Sequence, residues 1–463
     1  MKVTVKDLGI LKQAEFDVGD LTIICGANNT GKTYATYALY GFLVFWNEAF
    51  THYFIDNDVL KQLVNQGSVR VAIDEITKSV ESILNNSCGV YSGSLQMVLG
   101  ANEKYTSNSY FRITMDNIDF SKIDKKIQTK GPSGRPLCEI YKICDESFVT
   151  IKITTNAEEV KEINKEWFLH QINHDIKDIL FGSFLPDPFI ASIERTGAAM
   201  FQKELDFSRN RLLEHVSNRD KDIDPIALIG AYYDGRYALP VKRDVDFIRD
   251  LENVVKYKSE IAQNNPDILK TFDLLSGGEY KATREGIYYV PNKSSVKLTM
   301  GESASSVRSL LNVGMYIRHI ACPGDFVMID EPELNLHPMN QCLMARLLAK
   351  LVNSGIRVFI TTHSDYILKE FNTLIMMKNA GSSANHVMEK YRYEENELLD
   401  ASKVKAYIAK KELVKIDGFP KRQRHYTFVQ APIDNQGIEI AIFDETINKM
   451  NEIQEELLYS GDI

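Results

Sequence analysis

Eight residues, Gly26-Ala27-Asn28-Asn29-Thr30-Gly31-Lys32-Thr33, restrict what this chain can fold into more than any others. The apolar run Leu21-Thr22-Ile23-Ile24-Cys25 before them reads as a buried strand, and Tyr34 to Trp46 after them reads as a helix. Strand, glycine loop and helix in that order make the P-loop pattern, in which glycine is followed by four residues and then by Gly-Lys-Thr. The chemistry needs those residue types at that spacing. Gly26 and Gly31 let the backbone wrap a phosphate without a clashing Cβ. The N–H groups of the loop, those of Ala27, Asn28, Asn29 and Thr30 among them, then point at the anion together with the helix N-terminus. Lys32 can reach the β- and γ-phosphates of ATP, and the Thr33 hydroxyl can ligate Mg2+.

A second stretch answers the first. Phe326-Val327-Met328-Ile329-Asp330-Glu331-Pro332 is an apolar strand that ends in two acids. Asp330 then sits at the strand's C-terminal edge, where Mg2+ would lie opposite the P-loop. Glu331 beside it can orient or deprotonate an attacking water. Phe359-Ile360-Thr361-Thr362-His363-Ser364 closes the next strand, and His363 there could hydrogen-bond the γ-phosphate or that water.

Taken in order, residues 1 to about 25 read as two or three strands punctuated by Gly9 and Gly19-Asp20. Asn47 to about Val80 looks helical. Tyr91–Leu99, Tyr110–Met115, Glu139–Ile143 and Phe148–Ile153 look like strands, and Gly131-Pro132-Ser133-Gly134 like a loop tip. The first lobe is therefore expected to carry an antiparallel sheet beside the P-loop. Asn156 to about Leu274 reads as a helical insertion cut by Pro186, Pro188, Pro225 and Pro240. Gly277-Gly278 and Gly286 bracket a hairpin. Strand Phe326–Ile329, helix Met339–Asn353 and strand Val358–Thr361 alternate as in a parallel sheet. Ile438–Phe443 and Glu445–Leu458 add a strand and a closing helix. The expected fold is α/β with a parallel-sheet core, divided into a lobe at 1–155, an insertion at 156–270 and a second lobe at 271–463.

Bulk properties exclude little. The chain of 463 residues is 44% apolar and 25% charged, ordinary for a globular protein. A net charge of −9 argues against a generally basic surface but leaves room for a local basic groove. Lys421-Arg422-Gln423-Arg424-His425 is the densest basic patch and reads by default as a solvated loop. The six cysteines form no zinc-binding spacing. The start Met1-Lys2-Val3-Thr4-Val5 reads as a strand, and the longest apolar run, near Tyr37 to Trp46, is too short to span a bilayer. A cytoplasmic protein with no membrane partner is expected.

These motifs resemble the ATP-binding-cassette type of ATPase, and more closely its soluble members related to SMC, RecF and OLD (overcoming lysogenisation defect) proteins. The segments that carry the resemblance are the P-loop and Asp330-Glu331-Pro332-Glu333-Leu334-Asn335-Leu336-His337-Pro338. The resemblance covers about residues 1–45 and 270–375. It implies that two heads sandwich two nucleotides, that Asp330 binds Mg2+ and that Glu331 is the catalytic base. Glu333 to His337 would touch the opposite head, and His363 would be the switch histidine. Such ATPases also offer a signature segment to the other head's γ-phosphate. Leu275-Ser276-Gly277-Gly278-Glu279 looks like one, but the helix and loop that should join it to Asp330 take roughly 25 residues at 1.5 Å per helical residue, and Ser276 is about twice as far away. Met300 to Arg308 fits better, with Ser305 at the right distance and a helix to follow, although Val307 and Arg308 depart from the family pattern. The Q-loop glutamine is open between Gln96 and Gln128.

An OLD-type nuclease would carry a strand-end Glu-Gly and a later Asp-x-Asp after the ATPase, and neither follows Phe371. Asp220, Asp222 and Asp224, like Asp244 and Asp246, read as solvated helix faces. Arg195 could reach a phosphate but reads first as a salt-bridged helix start. The resemblance therefore implies a stand-alone ATPase of the kind found in prokaryotic anti-phage systems, pairing with itself and controlling a separate effector, plausibly a nuclease. An SMC- or RecF-like DNA-repair ATPase that touches nucleic acid is the alternative. A transporter subunit fits less well.

Overall fold

The computed structural model describes residues 1–116, 118–131, 134–155, 163–201, 237–416, 421–439 and 449–457. The Asp220/Asp222/Asp224 pattern, residues Pro132 and Ser133 of the loop tip, and most of the expected Ile438–Phe443 strand lie outside them. So does the start of the closing helix, of which Lys449–Leu457 is described as helical. The chain divides into two compact units, one made of Met1–Val3, Gly41–Ser94 and Phe111–Pro188, the other of Thr4–Tyr40, Leu95–Tyr110 and Phe189–Ile463.

The larger unit is built on one mixed sheet. Its strands include β1 (Lys2–Leu8), β2 (Leu11–Asp17), β3 (Leu21–Gly26), β4 (Pro188–Ala191), β5 (Phe326–Asp330), β6 (Arg357–Thr362), β7 (Val404–Val414) and β8 (Gln423–Gln430). They run in the order β1-β2-β8-β7-β3-β6-β5-β4. The P-loop strand β3 is paired in parallel with β6 on one side and β7 on the other, and β5 is parallel to β6. Every residue of β3 and β5 is buried, as expected of strands covered on both faces. On one face Ile23, Val327, Ile329, Val358 and Ile360 join an apolar core with the helices Pro266–Ser276, Ser305–His319, Pro338–Asn353 and Asp365–Ala380. On the other, Phe16 lies 5.9 Å from Phe359 and 5.8 Å from Phe428. The register sets Asp330 beside Thr361 and Thr361 beside Ile24. The C-terminal ends of β3, β5 and β6 therefore form one edge, the position at which open parallel sheets bind ligands.

The smaller unit carries the expected antiparallel sheet. Strand Ser68–Ala72 pairs with Phe148–Ile153, which pairs with Pro136–Lys142, which pairs with Lys125–Lys130. One expected strand is wrong. Tyr91–Leu99 is the end of the helix Ile73–Ser92 followed by the short helix Leu95–Leu99. The buried residues Ile73, Ile76, Val80, Ile83, Leu84, Cys88 and Tyr91 recur at helical spacing, Gly89 does not interrupt it, and Gly93 caps its end. The helical reading of Asn47 to Val80 is broken by Gly67, which caps the helix Asn57–Gln66 at φ 78° and starts a strand. Within the described part of the expected insertion, helices Lys165–Phe181, Arg195–Met200, Leu239–Val254, Glu260–Asn264 and Pro266–Ser276 are present. The short apolar segment Pro188–Ala191 is instead β4 of the large sheet, since four residues after Pro186 cannot show a helical period.

Asp244 is not on a solvated face. It is fully buried on the helix Leu239–Val254, where it accepts hydrogen bonds from the Ser192 N–H (2.9 Å) and the Asn312 side-chain amide (2.6 Å). Burial pushes its carboxyl up to about 6. The folded state therefore holds this proton more tightly than the unfolded chain. Its contribution to stability is complete below the unfolded value near 4 and is lost as pH rises through about 6. In urea unfolding between pH 4.5 and 7.5, the stability of the native chain relative to Asp244→Asn should fall by about 2 kcal/mol. A difference that is flat across that range would refute the shift.

Candidate functional site

The loop between β3 and the helix Lys32–Val44 has the shape its sequence demands. Gly26 has φ 138° and Gly31 φ 93°, and Asn29 is also left-handed at 59°. A Cβ on Gly26 would lie 2.5 Å from the carbonyl oxygen of Ala409 on β7, and one on Gly31 would strike the Leu11 side chain at 2.6 Å. Glycine is therefore required at both ends of the loop by backbone angle and by space. No acidic side chain occupies the first turn of the helix, so none competes with a phosphate there. The Lys32 ammonium donates to the loop's own carbonyls, Gly26 O at 3.1 Å and Ala27 O at 2.9 Å. Burial lowers its pKa, and the charges of Glu331 and Asp330 oppose that shift. Lys32 is thus a cation already held inside the loop that would receive the phosphates.

Asp330 ends β5 and is 1% exposed. The Thr361 hydroxyl of β6 donates to its Oδ1, while its Oδ2 is buried without a hydrogen-bond partner among the described residues. Burial raises its pKa, against the hydroxyls of Thr361 and Thr33, which favour the charged form. Among the described residues no group of three or more His, Cys, Asp or Glu side chains is placed to hold a metal. Mg2+ does not need one, because it binds through one or two protein oxygens, water and the substrate's phosphates. An orphaned carboxylate oxygen beside a threonine hydroxyl fits that cation, with Asp330 and Thr33 as its protein ligands.

Glu331 follows in the left-handed region, φ 51°. Its N–H donates to Thr361 at both the carbonyl and the hydroxyl oxygen, 3.2 Å each. Its carboxylate lies 3.2 Å from His363 Nε2, and that imidazole holds the carboxyl below its usual range. Lys32, Thr33, Asp330, Glu331 and His363 thus meet on one sheet edge, as the motifs imply. The Glu333 Oε1 accepts from the Thr362 hydroxyl (2.9 Å) and the His363 N–H (2.5 Å), so it braces the segment that carries His363. Asn335 and His337 in the same loop are exposed.

The two signature candidates separate cleanly. Leu275-Ser276-Gly277-Gly278-Glu279 is the end of a helix, a left-handed cap at Gly277 (φ 67°) and the start of a strand. It has no helix N-terminus to offer. Ser305, by contrast, opens the helix Ser305–His319 and is exposed, with no side chain capping the first turn. The Arg308 guanidinium donates to the carbonyls of Met300 and Ser303 and closes the loop before the helix. No contact among the described residues ties Ser305 to Lys32 or Asp330.

Arg195 opens the helix Arg195–Met200, as its sequence suggests, but without the expected salt bridge. It is 1% exposed and makes no carboxylate salt bridge among the described residues. Instead Nε donates to Ser309 O (2.9 Å), Nη1 to Ser192 O and Asp330 O (2.7 Å each), and Nη2 to Glu331 O (2.7 Å). The sequence signal available was a lone arginine after an apolar tetrapeptide, which does not announce four carbonyl partners. Thr361, quoted only as part of the Thr-Thr-His run, was also missed as the hydroxyl between the two acids.

The model of the AAA ATPase domain family matches residues 1–368 of the chain. No curated protein matches it. Solved structures that align with it include an SMC head bound to the C-winged helix domain of ScpA, at 14% identity over 80% of this chain and 91% of that one, TM-score 0.31. The SMC head domain from Thermotoga maritima aligns at 11% over 93% and 98%, TM-score 0.30. A Pyrococcus furiosus Smc head domain with an extended coiled coil, bound to the C-terminal domain of ScpA, aligns at 12% over 98% of each chain, TM-score 0.32. Likenesses this distant say nothing of what the chain acts on. No helix among the described residues is long and apolar enough to cross a membrane.

Proposed function

The chain belongs to the AAA ATPase domain family, and from that premise we propose that it is an ATP-hydrolysing switch whose heads pair around nucleotide and control a separate effector. The observation that supports this best is the single edge on which Lys32, Thr33, Asp330, Glu331 and His363 converge. ATP phosphates would lie in the loop Gly26–Thr33, against its N–H groups and the Lys32 ammonium. When bound at Thr33 and Asp330, Mg2+ supplies charge neutralisation on the transferred phosphate. Glu331, kept anionic by His363, would take the proton of the attacking water. Ser305, at the free end of its helix, would meet the γ-phosphate of the opposite head.

In this reading the chain works as two ATPase lobes, 1–155 and 271–463, around an insertion at 156–270. A role in prokaryotic anti-phage defence, in the cytoplasm, with a nuclease as effector, rests on the resemblance to stand-alone OLD-like ATPases. The test is compositional. A tagged Glu331→Gln chain is isolated with ATP and Mg2+ from cells that express its native neighbours, and the complex is weighed and identified. A second protein in fixed ratio supports the switch. A particle whose mass does not respond to ATP refutes the pairing of heads.

One surface favours the alternative, a DNA-acting ATPase. Beyond Ala409, the partner of Gly26, β7 no longer pairs with β3, and beyond the Lys411–Tyr426 pair, where β8 still meets β2 at Leu11, β7 and β8 continue as a two-stranded ribbon to Val414 and Gln423. In a chain of net charge −9 this ribbon and its flanks expose Lys411, Lys415, Lys421, Arg422 and Arg424. Tyr426 lies under the Lys411 ammonium at 4.9 Å. A β-ribbon of that kind fits a DNA major groove. If it does so, binding of a duplex should weaken with salt, and Lys411→Glu with Arg424→Glu should lower the log–log salt slope by about 2 and affinity by roughly tenfold. An equal slope in the native chain and the double variant would remove the ribbon from consideration.

A further inference from the structure

Glu331 sits in a backbone conformation that a non-glycine residue rarely adopts, at φ 51°. Such strain persists only where surrounding contacts over-determine it. Two sets of contacts do so here. Thr361 takes the Glu331 N–H, and Arg195 takes the carbonyls on both sides of the residue's own Cα, those of Asp330 and Glu331. The same guanidinium holds Ser309 O in the helix Ser305–His319 and Ser192 O just after β4. It is a buried cation whose hydrogen-bond partners are all main-chain oxygens, while the carboxyls of Asp244, Asp330, Glu333 and Glu331 offset its charge from a distance. A planar fork of donors can meet four carbonyls at once, and an ammonium cannot.

We propose that Arg195 is a positioning residue, one that locks the strained Glu331 peptide in its working orientation and ties it to the helix that begins at Ser305. The proposal rests on the ATPase reading above and deepens it. Among the described residues Arg195 makes no hydrogen bond to the P-loop, so nucleotide binding is expected to survive its loss. Its effect falls on the step that uses the Glu331 carboxylate. A shift of the Ser305 helix, such as a second head would impose, reaches Glu331 through one side chain: Ser309 O, guanidinium, Glu331 O.

The experiment compares native chain, Glu331→Gln, Arg195→Lys and Arg195→Ala, each first checked for cooperative thermal melting. For Arg195→Lys, kcat for ATP should fall about 10- to 100-fold, with KM and the affinity for a fluorescent ATP analogue within threefold of native. For Arg195→Ala, added guanidinium at tens of millimolar should restore part of kcat, which a lost packing contact would not allow. If native chain hydrolyses ATP and Arg195→Lys keeps its kcat, the proposal fails and the ATPase reading stands. A loss that appears in nucleotide affinity instead of kcat also overturns it. So does the failure of both arginine variants to melt cooperatively, which would make Arg195 structural only. If native chain itself matches Glu331→Gln and hydrolyses nothing, the ATPase reading has failed first.

Discussion

Glu331→Gln should reduce ATP turnover by at least ~100-fold while leaving nucleotide binding intact, because a positioned general base typically contributes 10²–10⁴-fold. The substitution keeps the volume, and glutamine can occupy the left-handed conformation at the strain glutamate already bears. It removes only the charge that His363 stabilises 3.2 Å away. The variant should therefore melt like the native chain, bind ATP with Mg2+ as tightly or more tightly, and accumulate in whatever state ATP favours. Steady-state phosphate release alongside equilibrium nucleotide binding checks both halves. A variant with native turnover would move the base elsewhere, and Glu333 is a poor substitute because its Oε1 is already committed to Thr362 and His363.

Lys32→Met acts one step earlier. Removing a buried charge that contacts a ligand's charge costs about 2–5 kcal/mol, so ATP affinity should fall at least ~30-fold. The nucleotide-free chain should tolerate the change far better. The ammonium's hydrogen-bond partners among the described residues are the loop carbonyls Gly26 O and Ala27 O, and burial already weighs against its charge. The clearest readout is thermal. A ligand at 100 times its Kd adds about 2.7 kcal/mol to the native state, and that ATP-dependent stabilisation should shrink to below about 1 kcal/mol in Lys32→Met. If the full stabilisation persists, the phosphates do not lie on Lys32.

Much of the site is legible from sequence because its parts are short and self-contained. A glycine loop between a strand and a helix, or an apolar strand ending in two acids, is defined by neighbours within ten residues. The hairpin after Gly277 and the helix after Ala304 are legible for the same reason, as punctuation by glycine and by small polar residues. What escapes is whatever depends on distant chain. The strands β7 and β8 show no clean alternation, with Lys410, Lys411 and Arg424 along them, and so do not announce that β7 pairs with the P-loop strand. Asp244 looks like one acid of a solvated helix until Ser192 and Asn312 close over it. Arg195 looks like a helix start until four carbonyls from three elements converge on its guanidinium. Tyr91–Leu99 fails for a different reason: aromatic and β-branched residues near glycines suit a strand locally, and only the long apolar stripe from Ile73 shows the helix.

The pairing of β3 with β7 also has a consequence for how the molecule comes into being. The Cys25 thiol donates to Tyr407 O across 382 residues of chain, and the carbonyl of Ala409 walls the first glycine of the loop. Chains emerge from the ribosome N-terminus first at ~5–20 residues per second. The phosphate loop is thus made well before its wall, some 382 residues upstream of it. Until those residues follow, the nascent polypeptide carries a nucleotide motif with one side missing.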